Sequence, residues 1–472
     1  MKKAYFIIIL FLPLFTLAQT AEDYLNAGIR SLKVKDYPGA NAQFSNAIKL
    51  APDSIVFHAY RGQAEILSKN YNGAIDDYTT IIKLDPQNID AYSNRGLVKI
   101  YIKDFKGAIA DCNHALLINA QTDSALNNRG LAKFGLNDFN GAISDLDQAI
   151  IINPKNSKAY YNRGNTKSQL KDYDGAIADL NRAIEINPKF IGAYFSRGIV
   201  KFLLKQYDSS LLDFDKSITL DPGYAEAYDR RGVSKTRLKD YSDAIDDFNQ
   251  AITIKPNYDA FYRDRGETKV AMKDLSGGFA DYNKAILINP KYSLAYYNRA
   301  EIKMINKDYK GAIADYTEAI LINPEFSDAY NNRGCAKGAL GDFGGAISDI
   351  SKTIAFSPDN YTAYYNRGGE ELAMNKNKAA LDDYTKAIAL NPQYSEAYFH
   401  IGILMINNNN YEKAINDFNK AILINPQYAF AYYDRAKAKI HLHDNKGACL
   451  DFNKANDLGF PEAISYITKY CK

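Results

Sequence analysis

The sequence repeats itself every 34 residues, and this period constrains the fold more than any other feature of the chain. With residues 157–190 as the reference unit, the same pattern returns at each step of 34 residues from residue 21 to residue 462. Proline marks the register, since position 32 of the unit is Pro except at Ala120 and Phe460. A period of this length indicates a repeat protein in which each unit packs on its neighbours.

Within one unit, small and apolar residues are spaced for two helices. Positions 20, 21, 24, 27 and 28 are mostly apolar and follow the spacing of one helix face. A small residue at position 8, as in Gly164, allows two helix backbones to approach closely. The Lys-Asp-Tyr run at 171–173 falls at the turn between the helices, and Asn187-Pro188 ends the second helix because the residue before proline avoids the α region. Each unit is therefore predicted to be a helical hairpin.

This pattern resembles the tetratricopeptide repeat (TPR), whose signature W-x2-L-G-x2-Y…A-x3-F…P spans 34 residues. The resemblance covers thirteen units within residues 19–462, and they begin at residues 21, 55, 89, 123, 157, 191, 225, 259, 293, 327, 361, 395 and 429. It implies an all-α fold, a right-handed superhelical solenoid of TPR helix-turn-helix repeats. The chain departs from the family pattern at position 7, which is mostly Arg in place of Leu, and at position 11, which is mostly Lys in place of Tyr.

The arginine at position 7 has a matching aspartate at position 23, on the second helix of the same unit. Arg163 and Asp179 are the pair in the reference unit. We predict that these residues form ion pairs between the two helices, in place of the apolar contact that leucine would make. The twelfth unit is an exception to pairing within a unit, because Ile401 stands opposite Asp417.

The first eighteen residues have the pattern of a secretory signal peptide. Lys2 and Lys3 precede an apolar run at residues 4–17, and small residues lie near residue 18. We expect cleavage before Gln19, with an uncleaved signal anchor as the alternative. No later stretch is apolar enough to cross a membrane, so the mature chain is expected to be exported without a transmembrane segment and to be periplasmic, envelope-associated or extracellular.

Residues 463–472 follow the last unit and are predicted to form a C-terminal capping helix. Ala463, Ile464 and Ile467 are the apolar residues that would cover the last exposed core face. A frayed tail is the alternative for this segment.

The chain has four cysteines, which differ in their expected roles. Cys112 occupies a core position and Cys335 lies on a first helix, so we expect both to be unpaired. Cys449 and Cys471 lie on the last second helix and on the predicted cap. A disulfide between them suits an exported protein and would hold the cap in place. Two free thiols remain the alternative.

The sequence contains no motif for catalysis, for a cofactor or for a metal. The formal net charge is +3, and basic and acidic residues alternate, so no nucleic-acid interface is expected. The five histidines are scattered, and the cysteine spacing does not match a zinc site. There is also no phosphate-binding loop and no dinucleotide fingerprint. We therefore predict a protein that is not an enzyme and has no cofactor, and the sequence leaves its oligomeric state open.

The resemblance to TPR proteins implies that the first helices line a concave groove, in which positions 2, 5, 6, 9, 12 and 13 contact ligands. Position 5 carries the aromatic residues Tyr161, Phe195, Tyr297, Tyr365, Phe399 and Tyr433. Position 6 carries the amides Asn94, Asn128, Asn162, Asn298, Asn332 and Asn366. Rings provide contact area and amides bond both main-chain groups, so this combination suits an extended peptide. Packing between helices is the alternative role for these residues.

Two arginines give the middle of the predicted groove a different character. Arg230 beside Asp229, and Arg263 beside Asp264, replace the aromatic and amide pair in the seventh and eighth units. This mixed-charge patch is predicted to recognise a charged partner. The sequence as a whole predicts a non-enzymatic exported scaffold that binds protein or peptide in its groove. A glycan-binding or enzyme-accessory module that uses the same aromatic groove is the alternative.

Overall fold

The computed structural model describes residues 19–471, so the predicted signal peptide, residues 1–18, lies outside the described residues. Over residues 19–471 the chain forms 27 helices and no strand. The helices α1–α26 are consecutive pairs, and the first helix of each pair begins at the residue where the 34-residue period starts a unit. The prediction of an all-α fold of tandem helical hairpins is confirmed.

The first helices of the pairs each have thirteen residues. They are α1 (Ala21–Lys33), α3 (Ile55–Leu67), α5 (Ile89–Tyr101), α7 (Asp123–Gly135), α9 (Ser157–Gln169), α11 (Ile191–Leu203), α13 (Ala225–Arg237), α15 (Asp259–Ala271), α17 (Ser293–Ile305), α19 (Ser327–Ala339), α21 (Tyr361–Ala373), α23 (Ser395–Asn407) and α25 (Ala429–His441).

The second helices begin four residues later, after a short turn. They are α2 (Tyr37–Leu50), α4 (Tyr71–Leu84), α6 (Phe105–Ile118), α8 (Phe139–Ile152), α10 (Tyr173–Ile186), α12 (Tyr207–Leu220), α14 (Tyr241–Ile254), α16 (Leu275–Ile288), α18 (Tyr309–Ile322), α20 (Phe343–Phe356), α22 (Asn377–Leu390), α24 (Tyr411–Ile424) and α26 (Asn445–Asp457), and the final helix is α27 (Ala463–Tyr470).

The helices group into two compact units, each of which is described by itself. The first unit contains α1–α13 and ends at Leu238, and the second unit begins at Lys239 and contains α14–α27. Within each unit, every helix packs on the helix that follows it along the chain.

The turn inside each repeat is determined by three positions. In the fifth repeat Lys171 has a φ of +63°, the left-handed conformation that ends a helix. Asp172 then caps α10, because its Oδ1 accepts a hydrogen bond from the backbone N–H of Gly175 at 3.0 Å. A Cβ on Gly175 would lie 2.2 Å from Oδ2 of Asp172, so this cap geometry favours glycine. The residue equivalent to Lys171 has a positive φ in every repeat, which explains why all the hairpins are alike.

The two helices of a repeat approach closely where a small residue faces a large one. In the sixth repeat, a Cβ on Gly198 would lie 2.7 Å from Cε1 of Phe214, whose side chain is fully buried. The ring therefore occupies the space that a larger residue at position 8 would need. This contact is the physical reason for the small residue that the sequence shows at position 8.

The predicted ion pair is present and bidentate. Nε of Arg163 donates to Oδ2 of Asp179 at 2.8 Å, and Nη2 donates to Oδ1 at 2.5 Å. Asp179 is only 5% exposed, so this pair joins α9 to α10 inside the repeat. Equivalent pairs are Arg61–Asp77, Arg95–Asp111, Arg129–Asp145, Arg197–Asp213, Arg265–Asp281, Arg299–Asp315, Arg333–Asp349, Arg367–Asp383 and Arg435–Asp451.

Two further contacts, which the sequence analysis did not predict, extend this pair. Nζ of Lys167, at position 11, lies 2.8 Å from Oδ2 of Asp179, so the buried carboxylate has two cationic partners. Nη1 of Arg163 lies 2.6 Å from Oδ1 of Asp147, which belongs to the preceding repeat. The arginine thus connects two helices of its own repeat and one helix of the repeat before it. A buried carboxylate needs such partners, since its desolvation would otherwise be unfavourable by several kcal/mol.

The twelfth repeat lacks this arrangement. Ile401 and Met405 occupy the positions of the arginine and the lysine, and Asp417 remains at position 23. Burial raises the pKa of the Asp417 carboxyl, although Lys420 and Lys413 partly oppose the shift. This repeat therefore retains a half-buried carboxylate without the cations that stabilise it elsewhere.

The final helix, α27, covers the end of the last repeat with two of the three predicted residues. Ala463 is fully buried and Ile467 is partly buried, as expected for a cap. The ring of Tyr466 stacks on Phe452 with centroids 5.0 Å apart. Ile464 is 53% exposed, so its predicted role in the cap is wrong. One residue along a helix is a rotation of about 100°, which places Ile464 off the face that Ala463 and Ile467 share.

We predict opposite effects for two Asp-to-Asn changes in the second unit. Asp349→Asn leaves Arg333 and Lys337, both mostly buried, without their carboxylate, and should destabilise the tenth repeat by about 3 kcal/mol. Asp417→Asn removes a carboxyl group whose charged form is disfavoured by burial, so this change should stabilise the twelfth repeat at neutral pH. Amide hydrogen exchange of α19–α20 and α23–α24 measures both effects locally.

The pH dependence provides the control for Asp417. Its pKa is raised in the folded state, so its contribution to stability is full below the ordinary value of 3.8 and is lost as the pH rises through the folded-state pKa. The increase in stability from Asp417→Asn should therefore appear only when the pH is above this range. Slower exchange in Asp349→Asn, or faster exchange in Asp417→Asn at neutral pH, would contradict the account.

Candidate functional site

The six aromatic residues predicted to bind a ligand are partly buried, and each one contacts other rings. The Tyr297 centroid lies 5.7 Å from that of Tyr316 on the second helix and 4.9 Å from that of Phe326 in the following loop. Equivalent contacts join Tyr161 to Phe190, Phe195 to Phe214 and Tyr224, Tyr365 to Tyr384 and Tyr394, Phe399 to Phe418 and Tyr428, and Tyr433 to Phe452 and Phe460. These rings hold each first helix to its neighbours, so only part of each ring is accessible.

The amides of the first unit bond mainly to the first helix of the preceding repeat. Nδ2 of Asn128 donates to the backbone carbonyl of Ser93 at 3.0 Å. Nδ2 of Asn162 donates to Oδ1 of Asn127 at 2.9 Å, and Asn127 donates to Asn128 at 3.2 Å. Asn94 lines a cavity between α3 and α5. The amides at position 6 therefore contribute to contacts between repeats as well as to the surface of the groove.

The amides of the second unit form the same kind of contact. Nδ2 of Asn366 donates to Oδ1 of Asn331 at 3.1 Å, and Nδ2 of Asn331 donates to Oδ1 of Asn332 at 2.9 Å. Asn298 donates to Oε1 of Glu267 at 3.1 Å. Asn127 and Asn331, both at position 5, are the residues that the sequence analysis missed in these clusters.

A carboxylate completes the cluster in the ninth and tenth repeats. Oε1 of Glu301 accepts a hydrogen bond from Asn332 at 2.9 Å and another from the hydroxyl of Tyr316. Burial and this carboxylate together raise the pKa of Tyr316, so its hydroxyl stays protonated as a donor. Glu301, Asn332 and Tyr316 therefore form a hydrogen-bonded polar cluster in the second unit.

The two arginines of the predicted mixed-charge patch each contact an acidic neighbour on their own helix. Arg230 lies 3.0 Å from Asp229 in the first unit. Arg263 lies 2.5 Å from Asp264 in the second unit, and its guanidinium is 5.9 Å from the centroid of the Tyr292 ring. Charge is present at both places, as the sequence indicates, but it is locally balanced.

An apolar cavity on the face of the first helices lies in the first unit, between α7, α9 and α11. We call it the fifth-repeat cavity, and its volume is about 300 Å³. It is lined by Leu131, Phe134, Leu146, Tyr161, Asn162, Asn165, Thr166, Ser168, Gln169, Ser196, Ile199 and Val200. None of these side chains is charged. Tyr161 and Asn162 are the predicted site residues that belong to it.

One small residue distinguishes the lining of the fifth-repeat cavity from the repeats on either side. Position 12 carries Phe134 in the fourth repeat and Phe202 in the sixth repeat, but Ser168 in the fifth. Ser168 is smaller than either ring, so it occupies less of the space at position 12 than Phe134 and Phe202 do in their repeats. Ser168 and Asn165 are not among the predicted site residues, although the smaller residue at position 12 is visible in the sequence.

A second cavity lies beside the first, between the first helices α11 and α13. We call it the sixth-repeat cavity; its volume is about 230 Å³. It is lined by Ile199, Phe202, Leu203, Phe214, Arg230 and Val233. Ile199 is shared by the two cavities, so they are adjacent along the face formed by the first helices.

Family models match five stretches of this chain. The models described as tetratricopeptide repeat match residues 157–190, 225–258, 293–326 and 371–440, and the model described as TPR repeat matches residues 62–99. Three of these stretches, 157–190, 225–258 and 293–326, each coincide with one 34-residue unit. Every match falls on the helical hairpins described above.

The chain belongs to the tetratricopeptide repeat family. Among solved structures, the APC/C hetero-tetramer Cut9–Hcn1 is similar over 97% of both chains, with 14% identity and a TM-score of 0.50. A TPR protein from Parabacteroides merdae is 20% identical over 53% of this chain and 98% of its own, with a TM-score of 0.41. YrrB, described as a TPR protein with an unusual peptide-binding site, is 20% identical over 39% of this chain and 95% of its own, with a TM-score of 0.34. No curated protein matches the chain.

The similarity to Cut9–Hcn1 shows a shared TPR fold, and at 14% identity it shows no more than the fold. Two further observations concern residues 19–471. None of the helices there has both the length and the apolar character that crossing a bilayer requires. In the same residues, no group of three or more His, Cys, Asp or Glu side chains is placed to hold a metal ion.

The second helices of this TPR chain carry exposed aliphatic residues on the face opposite to their packing. They share position 29 of the repeat, and they are Leu117 (82% exposed), Ile151 (78%), Leu287 (73%), Leu321 (68%) and Leu423 (82%). These residues are absent from the lining of both cavities, which comes mainly from first helices. They provide matched control positions for experiments on the cavities.

The four cysteines of the TPR chain are in two states. Cys449 and Cys471 form a disulfide with Cα atoms 5.4 Å apart, which joins α26 to the end of α27. Cys112 and Cys335 are free thiols. The pKa of Cys112 is raised to about 12 and that of Cys335 to about 11, mainly because both thiols are buried.

We predict that alkylation of the native, unreduced protein at pH 8 modifies none of the four cysteines rapidly. The thiolate is the reactive form, and at this pH it is scarce at Cys112 and Cys335. Mild reduction should then make Cys449 and Cys471 reactive together, and the reaction of Cys335 should accelerate as the pH rises towards 11. Peptide mass spectrometry measures each site. Rapid labelling of Cys471 before reduction would contradict the disulfide.

Proposed function

We propose that this TPR chain is a non-enzymatic exported scaffold that binds a protein or peptide on the first-helix face of its first unit. The observation that carries the proposal is the pair of adjacent cavities of about 300 and 230 Å³, which open among positions 5, 6, 9, 12 and 13 of the first helices. Concave, mostly apolar sites with a few polar groups are typical of binding sites. The walls are held by buried ion pairs, so the cavities are formed before a partner arrives.

The side chains around the fifth-repeat cavity favour a peptide over a glycan. Asn162, Asn165 and Gln169 supply amide groups that can bond both N–H and C=O of a main chain. A sugar would instead need open ring faces on which to stack, and Tyr161 already packs against Phe190 with centroids 4.8 Å apart. Glycan binding therefore remains an outcome of the tests and not the leading proposal.

Export is proposed from two features at opposite ends of the chain. Residues 1–18 have the signal-peptide pattern described above. The disulfide between Cys449 and Cys471 supports the same compartment, because disulfides persist in oxidising environments outside the cytosol.

The binding proposal is tested by affinity capture with immobilised residues 19–472. We expect a protein partner from the envelope or secreted fraction to be retained by the native chain and lost by Leu131→Glu, which places a charge in the wall of the fifth-repeat cavity. The matched control is Leu117→Glu, whose side chain is 82% exposed on a second helix. Circular dichroism and thermal melting confirm that both variants fold.

Three outcomes are distinct. Loss from the Leu131→Glu column alone supports the binding site. Equal retention on all three columns, or loss from the Leu117→Glu column alone, would exclude the first-helix face as the site. Retention of no protein by the native chain would exclude a stable protein partner in these fractions and direct attention to glycans.

The export proposal has its own test, the mass and location of the chain in its host cells. We expect the chain to be recovered outside the cytoplasm with Gln19 as its N-terminal residue. Replacement of Leu10 and Leu12 by Arg should keep the chain in the cytoplasm at full length, because a signal peptide requires an apolar central region. A cytoplasmic native chain that retains residues 1–18 would contradict export.

A further inference from the structure

We propose that the two cavities of the first unit take an uncharged segment in the polyproline II conformation, with two large apolar side chains three residues apart. The proposal rests on the binding role proposed above for this face and names the chemistry of the ligand. The first anchor enters the fifth-repeat cavity, and the second enters the sixth-repeat cavity. Charge, size, spacing and backbone chemistry each point to this occupant.

Charge complementarity excludes an ionic anchor in the fifth-repeat cavity. All of its lining side chains are uncharged. The lysines that could otherwise reach this face are engaged with the buried aspartates, as Lys167 is with Asp179 at 2.8 Å. A charged side chain in the cavity would lose its hydration and gain no counter-ion, which is strongly unfavourable. An apolar side chain has no such cost and covers Leu131, Phe134 and Ile199.

The size of the cavities fits large side chains. A cavity of about 150 Å³ lined by aliphatic and aromatic residues can hold a benzene ring. The fifth-repeat cavity, at about 300 Å³, is larger than this and can admit an aromatic side chain. The sixth-repeat cavity, at about 230 Å³, is lined by five apolar side chains and by Arg230, which lies 3.0 Å from Asp229, and it suits an aromatic or a large aliphatic side chain.

The separation of the cavities determines the spacing of the anchors. The cavities lie one repeat apart and share Ile199, and the first helices of successive repeats contact each other directly. Packed helices have axes about 8–10 Å apart. Three residues of a polyproline II helix rise about 9 Å and complete one turn, so residues i and i+3 point in the same direction at this distance. In a β-strand, by contrast, residues i and i+3 point to opposite faces.

The polar groups at the cavity favour this backbone over an α-helix. An α-helix could place residues i and i+7 about 10 Å apart, but its main-chain groups are already bonded to each other. A polyproline II segment makes no internal hydrogen bonds, so its N–H and C=O groups need partners. The amides of Asn165 and Gln169 lie at the cavity and can supply them.

The test uses fluorescein-labelled peptides of defined sequence and the full mature chain, with affinity measured by fluorescence anisotropy. The reference peptide has two Phe residues three apart in a Pro- and Ser-rich background. The comparison peptides place the two Phe residues two apart, place them seven apart in an Ala-rich helical background, or replace one Phe by Lys. We expect the reference peptide to bind about tenfold or more tightly than each of the others, because each of them loses a buried Phe side chain or the match to the main-chain partners.

The site is tested with Ser168→Phe, which restores at position 12 the ring that Phe134 and Phe202 provide in the neighbouring repeats. This change fills the fifth-repeat cavity with a residue that the fold already accepts at that position, and binding of the reference peptide should fall about tenfold or more. The control is Ile100→Phe, at position 12 of the third repeat, which leaves both cavities unchanged.

Each other outcome overturns the inference. Tighter binding of the helical peptide would show that the site prefers an α-helix to a polyproline II segment. Equal binding of the Lys peptide would refute the apolar anchors, and undiminished binding by Ser168→Phe would refute the site. If no peptide binds while Leu131→Glu still abolishes capture of a protein partner, the ligand chemistry proposed here is wrong and the binding function proposed above stands.

Discussion

The buried aspartate at position 23 is the residue on which the rest of the structure depends. In the fifth repeat, Asp179 is held by Arg163 from the first helix and by Lys167 one turn later. The same arginine reaches Asp147 in the preceding repeat, so one guanidinium fixes the geometry within a repeat and between two repeats. A leucine at position 7 would pack but would not impose a direction. The bidentate pair requires close packing and also a fixed relative orientation of the two side chains, because its two hydrogen bonds lie in one plane.

This use of charge has a consequence for the surface that can bind a partner. The arginines and lysines of the first helices point to the buried aspartates, and the amides of Asn128 and Asn162 join successive first helices. In the first unit, the face that remains is uncharged at the fifth-repeat cavity. The second unit differs, because Glu301 and its hydrogen-bonded partners form a polar surface there. The two units therefore offer different chemistry although their hairpins are alike.

Much of the fold could be predicted from the sequence, because the information is local and is repeated many times. The period places the start of every first helix, the Lys-Asp-Tyr run places the turn, and the match of Arg163 with Asp179 predicts the ion pair. The role of Lys167 was missed because position 11 does not reveal which way a long side chain turns. The prediction that Ile464 covers the core failed for a similar reason, since the direction of a short final helix depends on how Tyr466 and Phe452 stack.

The candidate site was harder to predict, because it depends on several repeats at once. The aromatic residues at position 5 look like an open binding surface in the sequence, yet Tyr297 and its equivalents pack against rings from the second helix and the loop. The lining of the fifth-repeat cavity includes Ser168, a small residue between two repeats that carry phenylalanine at the same position. A consensus over all the repeats hides such a residue, because what matters is its difference from its neighbours.

The central claim, that a partner lies on the first-helix face of the first unit, is tested most directly by photo-crosslinking. Benzoylphenylalanine can replace Gln169 at the edge of the fifth-repeat cavity or, in a second protein, Leu117 on a second helix. The account predicts that a captured partner is crosslinked from position 169 and not from position 117. Crosslinking from position 117 alone would show that the partner binds the exposed face of the second helices, and the account of the site would be wrong.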